Sequence, residues 1–226
     1  MLKFFGDGGA LDINRGSTSA FYIDDKTLIL IDTGYGVYEK ILNLHLLDKV
    51  EKVEILITHT HGDHISSLAS ICDYLKFYNI MVRRVDYKIY YENSENLIKL
   101  LKLMLIDWAD KIVFKPSQCK YVLHCLPQEH FENAYGYILN IAGKTIFYSG
   151  DAKHINETAL SLLKQKKIDY FYQEVTLIEN VQHTNIKELI DNIPSDLRSE
   201  VYCMHLNDKT ASEVVKFGFN LVDIAF

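Results

Sequence analysis

Proline is scarce, with 3 in 226 residues beside 11 glycines. Few breaks are therefore enforced, and no repeat, low-complexity run or linker divides the chain. Long apolar runs are absent too: even residues 97–108 are interrupted by Lys99, Lys102 and Asp107, so no membrane span is expected. The opening Met1-Leu2-Lys3-Phe4-Phe5 passes into Gly6-Asp7-Gly8-Gly9 without the apolar core of a signal peptide. No CxxC pair occurs. Cys72, Cys119, Cys125 and Cys203 are scattered and read as reduced residues of a cytoplasmic protein. A basic excess is missing as well. The net charge of −6 argues against a broad surface for long nucleic acids. What is present, 48% hydrophobic and 24% charged residues, is ordinary globular composition, and residues 1–226 read as one domain.

The densest chemistry lies in His59-Thr60-His61-Gly62-Asp63-His64, where four of six residues are metal-ligand types. The apolar, β-branched run 53–58 before it reads as a buried strand. The apolar residues Ile65, Leu68, Ala69, Ile71, Cys72 and Leu75 after it recur at helical spacing. The motif thus sits where a strand turns into a helix. His59 and His61 can share one ion, and Asp63 with His64 can reach a second beside it. Imidazole with carboxylate suits Zn²⁺, with Mn²⁺ or Fe as alternatives. Gly62 allows the sharp turn.

This stretch resembles the H-x-H-x-D-H signature of the metallo-β-lactamase fold hydrolases. The resemblance implies an α/β fold, a four-layer αββα sandwich, and a dinuclear metal site. It also implies the remaining ligands in order. His130, followed by Ala134-Tyr135-Gly136-Tyr137, resembles the third ligand motif of ribonuclease Z-like proteins and would join His59 and His61. His124 competes for that role but lies within a strand. Asp151, ending Tyr148-Ser149-Gly150-Asp151, matches the carboxylate that bridges the two metals, with Ala152 where many members carry Thr. His205, closing the strand 200–206, would complete the second group with Asp63, His64 and Asp151. Asp32, at the end of a strand, fits a carboxylate supporting the metal loop or a simple turn or cap residue.

Elsewhere, residues 2–5 read as a strand, 19–23 and 27–31 as a hairpin, 37–47 as an amphipathic helix carrying a structural His45, and 94 to about 109 as another helix capped by Asn93 or Ser94. Arg15 reads as a solvated loop residue rather than a phosphate ligand. His154 reads as an exposed residue at a helix start.

Glu174-Val175-Thr176 and His183-Thr184-Asn185 resemble the Glu and His segments that assist phosphate chemistry in the ribonuclease Z-like branch. His183 here is followed by Thr rather than Ser-Thr. The long arm that grips tRNA has no room between His130 and Asp151. The expected function is therefore a two-metal phosphodiesterase on small or cyclic nucleotides, using a metal-bound hydroxide, with Asp63, His183 and Glu174 in catalytic roles. The alternative is a lactone, thioester or β-lactam hydrolase of the same fold, with an apolar pocket lined from residues 94–109 and 87–91. An RNA-processing nuclease, marked by a basic patch at Arg83, Arg84 and Lys88, ranks below both. The partner is a small-molecule substrate, and relatives in this branch imply a homodimer.

Overall fold

The computed structural model describes residues 1–10, 12–131, 133–179 and 182–225. Two six-stranded sheets carry the fold. Across the first run β1 (Lys3–Gly6), β2 (Ser19–Asp24), β3 (Thr27–Ile31), β4 (Lys52–Leu56), β5 (Asp86–Tyr90) and β6 (Val113–Phe114). The second holds β7 (Val122–Pro127), β8 (Tyr135–Ile141), β9 (Lys144–Tyr148), β10 (Tyr170–Glu174), β11 (Val201–Met204) and β12 (Asn220–Leu221), also in chain order. The hairpin of β2 and β3 pairs Ala20 with Ile31 and Asp24 with Thr27, as the alternation around Asp25-Lys26 predicts.

The helices are α1 (Val37–Asn43), α2 (Gly62–Ile65), α3 (Leu68–Met81), α4 (Ser94–Leu103), α5 (Glu157–Lys164), α6 (Ile186–Asn192) and α7 (Asp208–Lys216). Three apolar layers hold the helices and the two sheets together. Leu28 and Leu30 of β3 face Ile41, Leu75 and Leu97 of the flanking helices. Ile29 and Ile31, one residue out of phase, meet Tyr137, Leu139, Tyr148 and Tyr172 of the second sheet. Phe147 and Phe171 turn the other way, onto Ala159, Leu163, Leu189 and Val214. Period-two side chains on strands buried on both faces thus produce the four layers expected, αββα. Among the described residues, no helix is long and apolar enough to cross a membrane.

Three helix boundaries differ from the periodicity. α1 stops at Asn43, because Leu44 to Asp48 fold into turns and His45 takes a left-handed φ of 51°. The helix after the metal motif breaks at Ser66-Ser67. There the Thr33 N–H donates to the His64 carbonyl, and the Ser67 hydroxyl donates to the Gly34 carbonyl. The helix expected to run to about residue 109 ends at Leu103, since Leu105 has φ 66° and the chain re-enters as a short 3₁₀ turn at Ala109–Lys111.

Candidate metal centre

Strands β3, β4 and β5 run parallel, as do β9, β10 and β11. Their carboxyl ends gather at one edge of the sandwich, where open α/β sheets place ligands. Asp32 follows β3, residues 59–64 follow β4, Asp151 follows β9, Glu174 ends β10 and His205 follows β11. Two glycines permit the approach. A Cβ on Gly34 would stand 1.9 Å from the Asp63 carbonyl. Gly150 has φ 60°, and a Cβ there would come within 2.9 Å of Thr58.

Beside a smaller group of Glu174, His183 and His205, two groups of four possible ligand atoms result among the described residues: His59, His61, His130 and Asp151, and Asp63, His64, Asp151 and His205. Asp151 belongs to both. Its Oδ2 lies 3.8 Å from His59 Nε2, 3.7 Å from His130 Nε2 and 3.4 Å from His205 Nε2, while Oδ1 lies 3.4 Å from His64 Nε2. Asp63 Oδ2 sits 3.2 Å from His64 Nε2 and 3.4 Å from His205 Nε2. Such spacings suit donors around one small cation, since bonds of about 2.0–2.1 Å set tetrahedral ligands roughly 3.3 Å apart.

The imidazoles are held for this. Asp32 accepts the His64 Nδ1–H at 2.8 Å, and the Gln182 carbonyl accepts the His130 Nδ1–H at 2.8 Å. Nε2 of each ring is then left as an acceptor facing the cluster. His64 Nε2 and His130 Nε2 are buried with no hydrogen-bond partner, which a divalent ion would supply. The residues present fit such an ion at each group.

Charge is distributed to match. Burial works to raise the Asp63 carboxyl, but the adjacent His205 and His64 imidazoles hold it below the usual range. Burial also opposes ionisation of Asp151, yet His205 and His64 keep it well below. Burial lowers His59 well below the ordinary imidazole value, aided by His64. Burial also lowers His61 and His130, so all three rings of the first group favour the neutral, ligating form. Burial pulls His64 down too, but Asp151 and Asp32 raise it well above.

Asp32 and His205 both occupy left-handed backbone, at φ 61° and 59°, a conformation that costs a non-glycine residue about 1–2 kcal/mol. Surrounding bonds fix them. The Asp32 N–H donates to Leu56, and its carboxylate accepts both Thr58 N–H and Thr58 Oγ1–H. The His205 N–H donates to Thr18 Oγ1.

Every expected ligand is therefore brought to one place, and Asp32 braces the turn of residues 58–64 through Thr58 and His64. His183 and Glu174 lie beside the second group. Glu174 is fully buried and accepts from His183 Nδ1–H at 2.8 Å and from the Ala152 N–H. Burial and Asp151 push its carboxyl up. Its carboxylate faces His183 and, at 3.6 Å, His205 Nδ1. His183 is a quarter exposed, its ring stacked on His205 at 5.1 Å. His124 lies exposed on β7, away from both groups. His45 pairs with Asp48, and His154 pairs with Glu188 ahead of α5 rather than starting a helix.

Arg15 is not a free loop cation: it bridges buried Asp7 at 2.6 Å and Asp208 at 2.9 Å. The basic cluster is spent elsewhere, at the opposite end of β5. Arg83 donates to Leu47 and Val50 carbonyls, Arg84 pairs with Asp86, and Lys88 lies over Phe114. Residues 94–109 and 87–91 contribute Leu97, Leu101 and Tyr87 to the helix-side core, not to a pocket at the site. Three contributors to the site carry no distinctive sequence signal. They are Thr58, which orients Asp32; the Gln182 carbonyl; and Phe131, whose ring packs against His61 and His130 at 4.8 and 4.9 Å.

A family model described as anti-Pycsar protein Apyc1 matches residues 1–222. The chain belongs to this family. Apyc1 proteins from Saccharibacillus brassicae and Paenibacillus sp. (strain J14) are 24% and 26% identical. They match 96% and 93% of this chain and 94% and 91% of their own length. Among solved structures, the metallo-β-lactamase fold protein YhfI from Bacillus subtilis superposes with TM-score 0.71 at 16% identity, covering 99% of this chain and 95% of that one. A diphosphatase from the PhnP family gives 0.70 at 19% identity, covering 99% and 94%. The four-layer fold of this Apyc1 family member is thus the metallo-β-lactamase fold.

Proposed function

We propose that this protein hydrolyses small or cyclic nucleotide phosphodiesters at a centre of two divalent ions. The observation that carries the reading is Asp151, a single buried carboxylate facing both imidazole groups, with the His183–Glu174 pair beside it. Membership of the family described as anti-Pycsar protein Apyc1, together with the likeness to a PhnP-family diphosphatase, supports the same chemistry. Zinc is the metal that the mixed imidazole and carboxylate set suits best, with Mn²⁺ or Fe as alternatives. The homodimer and the cytoplasmic location remain part of this proposal, the latter on four unpaired cysteines.

His59, His61, His130 and Asp151 would hold one ion, and Asp63, His64, Asp151 and His205 the other. When bound, the two ions supply Lewis acidity that acidifies water and draws charge from phosphoryl oxygens. Asp63, kept ionised, accepts a proton from the attacking water. Water adds to phosphorus and one P–O ester bond breaks. His183, held through Nδ1 on Glu174, gives a proton to the departing alkoxide, and the product is a phosphomonoester.

The test is turnover of 3′,5′-cyclic nucleotides and of bis-p-nitrophenyl phosphate by Zn- or Mn-loaded protein, with His183→Ala alongside. Metal-dependent turnover should fall about 10²–10⁴-fold in the variant while metal content stays the same. Loaded protein with no turnover of either substrate contradicts the reading.

A further inference from the structure

A groove of about 600 Å³ opens directly from His183 and His205. One wall is the loop carrying Asp12, Ile13 and Asn14, and the other carries Thr176 and Ile178. Its size suits one nucleoside. Ile13 and Ile178, 86% and 65% exposed, offer apolar surface to the faces of a base. Asn207 caps α7 through its carbonyl oxygen, which accepts the Thr210 N–H, leaving its amide N–H₂ for the groove.

Charge is the informative feature. Among the described residues, no lysine or arginine lines this groove, and its carboxylate is Asp12. The neighbouring cation does not neutralise it. The Arg15 guanidinium is committed to Asp7 and Asp208, and only the Arg15 backbone N–H reaches Asp12, at 3.3 Å. Asp12 also borders the hollow on the other side of the loop, which Lys40 lines too; there Lys40 donates to the Phe5 carbonyl.

We propose that Asp12 is a specificity-determining residue: it keeps the groove for an uncharged nucleoside and repels any second phosphate carried by the substrate. This rests on the phosphodiesterase reading above. The reacting phosphate lies at the two ion-binding groups, and the rest of the substrate leaves past His183 and His205 into a space with no lysine or arginine for another phosphate. A carboxylate there disfavours linear dinucleotides bearing a terminal phosphate and leaves cyclic mononucleotides unaffected by repulsion.

The test compares kcat/KM for adenosine 3′,5′-cyclic monophosphate and the linear dinucleotide pApA, using metal-loaded wild type, Asp12→Asn and Asp12→Lys. Asp12→Asn retains the oxygen that accepts the Arg15 N–H, so the loop turn is preserved. The wild-type preference for the cyclic mononucleotide should drop about tenfold in Asp12→Asn and further in Asp12→Lys. It should also shrink with rising salt in wild type but not in Asp12→Asn, which a structural role of the loop would not produce. Preference and salt dependence unchanged in both variants overturn the role of Asp12 and leave the phosphodiesterase reading standing. Wild type that turns over neither substrate overturns both.

Discussion

The two sheets deliver the site in different ways. The first supplies His59, His61, Asp63 and His64 from one turn after β4, six residues in which each candidate ligand lies within two positions of the next. The second supplies His130, Asp151, Glu174 and His205 one at a time, from the ends of four strands. The first half depends on local backbone: Gly62, the short helix α2 and the Asp32 brace. The second depends on register, because parallel pairing such as Tyr172 with Tyr148 and with Tyr202 sets which residue emerges at each strand end. A local defect should therefore disturb the first set alone, whereas Asp151, shared by both, joins the two.

The largest effect should come from Asp151. Asp151→Ala removes a donor from both groups, and phosphodiester turnover should fall by at least about 10³-fold in a stopped assay at saturating metal. A loss confined to less than tenfold would show that the two halves work independently.

A smaller effect, on stability, separates the local brace. Asp32→Ala strands the buried His64 Nδ1–H, Thr58 N–H and Thr58 hydroxyl. A loss of about 2–4 kcal/mol in urea unfolding of the metal-free protein is expected. An unchanged midpoint would remove Asp32 from the account.

How much of this was legible follows the same divide. The contiguous hexapeptide could be read outright, because the ligand types and the strand-to-helix change lie in one window. His130, Asp151 and His205 were found only through resemblance to known motifs, since nothing in their own spacing brings them together. Their meeting is a consequence of sheet order. The roles of Thr58 and Gln182 escaped for different reasons. A threonine after a strand is common, and a backbone carbonyl has no residue signature. The helix ends at Asn43 and Leu103 were missed because left-handed turns at His45 and Leu105 interrupt otherwise helical apolar spacing. Arg15 looked like a solvated loop residue because the buried Asp7 and the distant Asp208 meet it only in the fold.

The smallest effect is one of pH. Burial lowers His64, but Asp151 and Asp32 outweigh it; burial likewise lowers His205, and Asp151, Asp63 and Glu174 outweigh it, so both are raised. Raised imidazoles stabilise the metal-free fold fully below the unfolded value of about 6.5, and that contribution is lost as pH rises through their folded values. A metal ion must displace those protons, so the rise in melting temperature on adding Zn²⁺ should be larger at pH 8 than at pH 6. Equal shifts at both would contradict the assignment of His64 and His205 as ligands.

The central claim is that one carboxylate ties two ion sites together. Metal content per chain, measured by inductively coupled plasma mass spectrometry after dialysis of Zn-loaded wild type and Asp151→Ala, tests it most directly. Two ions per wild-type chain and fewer than one per variant chain are the predicted result. One ion in wild type, or two retained in the variant, would contradict it.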